Sequence, residues 1–203
     1  MLRTADLLPM PLTALPAAAI FDCDGTLVDT MPAHFVAWRR VLDNLGHADI
    51  FPEPQFYAWG GTPAQEILER LNAAHGLSLP PAETATAKEN VYETLIPGVQ
   101  PIAPVVAEAR RLFTAGVPLA VASGGRRDVV EASLASVGIR ELFGFVVGSE
   151  DAPRGKPAPD IFLRAAELLG VAPSGCVVFE DAPAGFAAAR AAGMRAVDIT
   201  RYL

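Results

Sequence analysis

The sequence predicts an α/β protein, a parallel sheet flanked by helices and interrupted once by a small α-helical insert. Three observations predict it. From Pro97 onward, short apolar runs alternate with stretches of helical period, which is the pattern of a parallel sheet joined by right-handed crossovers. The apolar runs are continuous, as in strands covered on both faces. Between the first run, residues 17–21, and the next, residues 117–122, the chain from 31 to 96 carries only helix and loop signals.

Taken in order, residues 1–16 read as a mostly irregular, uncleaved arm. Residues 7–19 are apolar with an Ala-x-Ala ending, faintly like a secretory leader, but Pro9, Pro11 and Pro16 break the run and Arg3 is its one positive charge. Cleavage after Ala19 would also remove most of the strand that leads into Asp22. After that strand, Thr30 can cap a helix with Pro32 in its first turn and Val41, Leu42 and Leu45 on one stripe, ended by Gly46. Residues 51–61 are rich in proline and aromatics and read as loop. Thr62-Pro63-Ala64-Gln65 supplies a capping box with proline first in the helix, followed by apolar Ile67, Leu68 and Leu71. Pro80 and Pro81 open another helix running to about residue 96. Helices over 102–115, 126–137, 158–169 and 183–192 then lead to strands at 117–122, 145–147, 176–179 and 195–199. The expected organisation is therefore the arm 1–16, an α/β core of residues 17–30 and 97–203, and a helical cap over 31–96.

Composition narrows the class. A chain of 203 residues can bury one sizeable core with a small second module. With 51% hydrophobic and 19% charged residues, disorder is not expected. The net charge of −7 argues against nucleic acid or an anionic membrane as partner. No apolar run is long enough to span a bilayer. Cys23 and Cys176 both lie in strand-like context, which suits buried thiols in a reducing compartment better than a disulfide or zinc framework. A cytoplasmic protein is expected, with a monomer the default for this architecture.

Four polar clusters each follow an apolar strand: Asp22 with Asp24; Ser123-Gly124-Gly125; Lys156, some residues beyond 145–147; and Glu180-Asp181. In a parallel sheet these strand ends converge on one edge. Alternate side chains of an extended segment share a face, so Asp22 and Asp24 lie close together. Such a pair persists where a cation neutralises it, or where one member is protonated and serves as an acid. The set makes sense for phosphoryl transfer. Asp22 is the candidate nucleophile and Asp24 the acid and then base. Ser123, Gly124 and neighbouring N–H groups would hold phosphoryl oxygens while Lys156 offsets their charge. Magnesium held by Asp22 and the Glu180-Asp181 pair would relieve the anionic repulsion. Plainer readings exist for each: a turn at Asp24-Gly25, helix caps at Ser123 and Glu180-Asp181, a solvated Lys156.

The order Asp-x-Asp-Gly-Thr, Ser after an apolar strand, Gly-Lys-Pro-x-Pro-Asp and Glu-Asp-Ala-x-x-Gly resembles the haloacid dehalogenase superfamily, from Ala17 to about Val197. The sequence is most similar to its β-phosphoglucomutase-like branch, particularly sugar-phosphate phosphatases of the fructose-1-phosphate or 6-phosphogluconate type. The resemblance implies a Rossmann-like core with an inserted helical cap. It also implies Mg2+ held by the Asp22 carboxylate, the Asp24 carbonyl and Asp181, with Glu180 a direct or adjacent partner. In the cap it points to Gly61, Gln65 and Lys88 as substrate contacts, although helix capping explains Gln65 equally and nothing in the sequence marks Lys88 as buried. His34 and Trp38, one helical turn apart, read as packing or hinge residues. The expected activity is a Mg2+-dependent phosphatase for a small sugar phosphate or sugar-acid phosphate, working through an aspartyl phosphate. A β-phosphoglucomutase is the alternative, disfavoured because residues 61–66 lack the arginine with which mutases hold a distal phosphate. A catalytically inactive binding or regulatory module is more remote, since Asp22, Asp24, Lys156 and Asp181 are all present.

Overall fold

The computed structural model describes residues 7–203. Its main sheet contains β1 (Leu7–Leu8), β2 (Ala18–Phe21), β5 (Leu119–Ala122), β6 (Phe145–Val147), β7 (Cys176–Glu180) and β8 (Arg195–Asp198). The spatial order is β1-β8-β7-β2-β5-β6 and every pairing is parallel. β3 (Val28–Asp29) and β4 (Gln100–Pro101) form a separate antiparallel pair, which the sequence did not announce. The chain divides into two compact units, Met1–Asp29 with Gln100–Leu203, and Thr30–Val99.

In the α/β unit, helices α5 (Ala103–Thr114), α6 (Arg127–Ser136), α7 (Asp160–Leu169) and α8 (Pro183–Ala191) follow the predicted alternation to within two residues. One face of the sheet presents Ala18, Ile20, Ala120, Ala122, Val147, Cys176, Val178 and Ala196. These pack on Ile161, Phe162, Ala165 and Ala166 of α7 and on Phe186, Ala188 and Ala189 of α8. The small residues on this face let the helices approach closely. Phe21 and Phe179, level with each other in neighbouring strands, have the opposite parity and stack at 4.3 Å on the other face. Both Cys23 and Cys176 are buried free thiols, as expected.

Residues 7–16 of the arm are mostly irregular but begin in one short strand. Leu7 and Leu8 pair in parallel with Ala196 and Val197, so β1 is the edge strand. Beyond it, the Met10 N–H donates to the Tyr202 hydroxyl at 2.7 Å and the Leu12 N–H to Glu108 Oε1 at 2.9 Å. Partners 96 and 192 residues away leave no local period to read, and the three prolines hide the two-residue strand.

The helical unit contains α1 (Met31–Asn44), α2 (Glu53–Ala58), α3 (Ala64–His75) and α4 (Pro81–Glu93), with α4 contacting both α1 and α3. Helix α2 replaces part of the expected 51–61 loop. Pro54 falls in its first turn, where a missing N–H costs nothing. Phe56 of α2 packs with Phe51, Trp38, Leu42, Ile67, Leu68 and Leu71. Burial of this aromatic surface supports a helix too short to stand on propensity alone. The capping box expected at Thr62 does not form. Pro63 takes the N-cap position with no side-chain cap, and the Thr62 N–H turns back to the Trp59 carbonyl at 3.0 Å. Thr30 likewise sits at the N-cap of α1 without a side-chain cap bond.

Candidate active site

Strand order reverses at β2, with β5 and β6 on one side and β7 and β8 on the other. In open α/β sheets the crevice beyond the carboxyl ends of the strands at such a reversal is where ligands bind. Asp22 leaves β2 at this point, its N–H donating to the Phe179 carbonyl at 3.0 Å. The next turn folds tightly because the N–H groups of Thr26, Leu27 and Val28 all point at the Cys23 carbonyl. Gly25 holds φ at +81°, and a Cβ there would lie 2.6 Å from Asp181 Oδ2. Only glycine permits both the turn and the approach.

Lys156 joins the strand ends. Its Nζ donates to Asp22 Oδ1 at 2.5 Å and to Glu180 Oε2 at 2.8 Å, with 6% of its side chain exposed. The ammonium also lies 5.1 Å from the Phe162 ring centroid. It is therefore not a solvated loop lysine. Glu180 is buried, and its Oε1 accepts the N–H groups of Asp181 and Ala182 at 3.3 and 3.1 Å. Asp181 is held by Thr26, whose hydroxyl donates to Oδ1 at 2.7 Å. On the other side of β2, buried Ser123 donates to Asp24 Oδ2 at 3.3 Å and accepts the Gly125 N–H at 3.1 Å. Ser123 does not cap α6, whose N-cap is Arg126. Gly124 is exposed beside it.

Burial, reinforced by the neighbouring Glu180 charge and opposed by Lys156, pushes the Asp22 carboxyl up to about 7. Burial and Asp22 push Asp181 up to about 6. Glu180 is raised by burial against the pull of Lys156. Lys156 moves the other way: burial disfavours its charge, but Asp22 and Glu180 outweigh it and hold the ammonium above its ordinary value. Carboxylate oxygens of Asp22, Glu180 and Asp181 lie within 4.8 Å of one another. Fully ionised, these three with one ammonium leave two negative charges, which a divalent cation would balance. An all-oxygen set of hard donors fits such an ion.

In the helical unit, Lys88 is buried, which nothing in the sequence marked. Its Nζ donates to His34 Nδ1 at 2.7 Å and Glu89 Oε1 at 2.8 Å, 5.4 Å from the Tyr92 ring centroid. His34 stacks on Tyr92 at 3.7 Å and Trp38 lies in the core of the helical unit. Gly61 and Gln65 are exposed. The sequence reading missed Thr26 and Phe162 as supports of the α/β cluster. Thr26 was visible in Asp-x-Asp-Gly-Thr, but nothing local paired it with a residue 155 positions away.

Buried carboxylates gathered round a lysine at the carboxyl edge of a parallel sheet, at its reversal point, are placed where α/β enzymes carry their chemistry. Residues 16–193 match the haloacid dehalogenase-like hydrolase family, and the chain belongs to it. It is 41% identical over 185 residues to the fructose-1-phosphate phosphatase YqaB of Escherichia coli (strain K12), covering 90% of this chain and 96% of that protein. It is 31% identical to the β-phosphoglucomutase of Bacillus subtilis (strain 168), covering 90% and 82%. Among solved structures, CbbY from Rhodobacter sphaeroides in complex with phosphate superposes with a TM-score of 0.77 at 30% identity, covering 90% of this chain and 85% of that one.

Proposed function

We propose that this hydrolase is a Mg2+-dependent phosphatase of small sugar phosphates or sugar-acid phosphates, working through an aspartyl phosphate on Asp22. The observation that carries the reading is the placement of Asp22, buried at the sheet reversal between Lys156 and the Glu180–Asp181 carboxylates. The relatives named as phosphatases of phosphorylated carbohydrates support the substrate class.

Asp22, Glu180 and Asp181 would hold the ion, with the Asp24 carbonyl as a further oxygen. When bound, Mg2+ supplies positive charge that offsets the carboxylates and the incoming phosphoryl group. An oxygen of Asp22 attacks phosphorus and the bond to the sugar oxygen breaks. Asp24 gives its proton to that leaving oxygen. Asp24 then takes a proton from water, which attacks phosphorus, releases phosphate and frees Asp22. The Ser123 hydroxyl and the Gly124 N–H receive phosphoryl oxygens, and Lys156 balances their charge. Choice of sugar is assigned to Gly61, Gln65 and Lys88 of the helical unit.

Phosphate release from fructose-1-phosphate, 6-phosphogluconate and β-glucose-1-phosphate, with and without Mg2+, tests the proposal. Release from at least one of them only with Mg2+ is expected. Conversion of β-glucose-1-phosphate to glucose-6-phosphate with little release would make the protein a mutase instead. No turnover of any sugar phosphate would overturn the reading.

A further inference from the structure

Glu180 reaches Lys156 by crossing the first turn of α8, and the crossing depends on one missing side chain. Helix α8 reads Pro-Ala-Gly-Phe-Ala-Ala-Ala-Arg-Ala. A glycine among alanines weakens a helix, so Gly185 serves something other than helix formation. A Cβ at Gly185 would lie 2.0 Å from both Cδ and Oε2 of Glu180 and 2.5 Å from its Cγ. Oε2 is the atom that accepts from Lys156. Glu180 has nowhere to retreat: it is 1% exposed and its other oxygen is fixed by two backbone N–H groups. Any shift of Oε2 is passed through Lys156 to Asp22.

We propose that Gly185 is a positioning residue, whose missing side chain forms the channel that lets Glu180 hold Lys156 and complete the carboxylate set. The proposal rests on the reading of Glu180 as part of the cation site, but its core test needs neither metal nor turnover. Gly185→Ala, Glu180→Ala and the double variant would be unfolded in urea as metal-free proteins, forming a double-mutant cycle. Gly185→Ala should lower the unfolding midpoint in the wild-type background and leave it unchanged or higher in the Glu180→Ala background, where alanine meets no obstacle. In parallel, the Mg2+ concentration giving half-maximal thermal protection should rise about tenfold in Gly185→Ala, as for other residues that orient metal ligands.

An equal loss of midpoint in both backgrounds would overturn the proposal, as would an unchanged Mg2+ requirement in Gly185→Ala. If Gly185→Ala does not fold, a double variant as stable as Glu180→Ala supports the proposal, and a double variant that also fails to fold refutes it. A wild-type protein that Mg2+ does not protect would count against the proposed function, while the urea cycle would still decide the role of Gly185.

Discussion

Asp22 is held between opposing influences. Burial and Glu180 favour its neutral form, while Lys156 at 2.5 Å favours the carboxylate that the proposed attack on phosphorus requires. Asp22→Asn keeps the shape and removes the proposed nucleophile. Turnover should fall by a factor on the order of 10⁴ or more, with no drop in melting temperature; activity retained within tenfold would remove Asp22 from that role. Asp22, Asp24, Lys156, Glu180 and Asp181 were legible because each follows an apolar strand, and a parallel sheet brings such strand ends together. Two features were not legible. The burial of Lys88 depends on His34, 54 positions away, and the Thr26–Asp181 bond spans 155 positions.

At the level of elements, the arm and α5 form a clasp. Glu108 accepts the Leu12 N–H and two hydrogen bonds from Arg111, and Arg111 returns to the Leu12 carbonyl at 3.3 Å. Burial alone would raise the Glu108 carboxyl, but these hydrogen bonds outweigh it and hold the group below its ordinary value of 4.5. A carboxyl lowered in the folded state adds stability above its unfolded value, and that stability is lost as pH falls through the folded value. Glu108→Gln should therefore cost about 1–2 kcal/mol at neutral pH, near the lower end of what charged hydrogen bonds contribute because Arg111 is partly exposed. The gap between wild type and variant should close as the pH drops below about 4.5. A gap constant across that range, measured by urea unfolding, would contradict the clasp. The clasp and β1 escaped the sequence for the same reason as α2: each is held by distant partners. The helices and strands after Pro97 carry their own period and were readable to within a few residues.

For the molecule as a whole, the reversal of strand order at β2 brings four separate stretches of chain to one edge. With a net charge of −7, the protein repels an anionic substrate at long range. Attraction must come from the site, where Lys156 is already committed to Asp22 and Glu180. Under the proposed function, a bound cation would help to seat the phosphoryl group and, with Lys156, favour the ionised form of Asp22. The most direct test is a single-turnover reaction with fructose-1-phosphate and Mg2+, quenched in acid and mapped by mass spectrometry. A transient phosphoryl group on the peptide containing Asp22, sensitive to hydroxylamine and absent in Asp22→Asn, is the expected result. Phosphate release with no phosphorylated peptide, or with the group on another residue, would contradict the assignment of Asp22 as nucleophile.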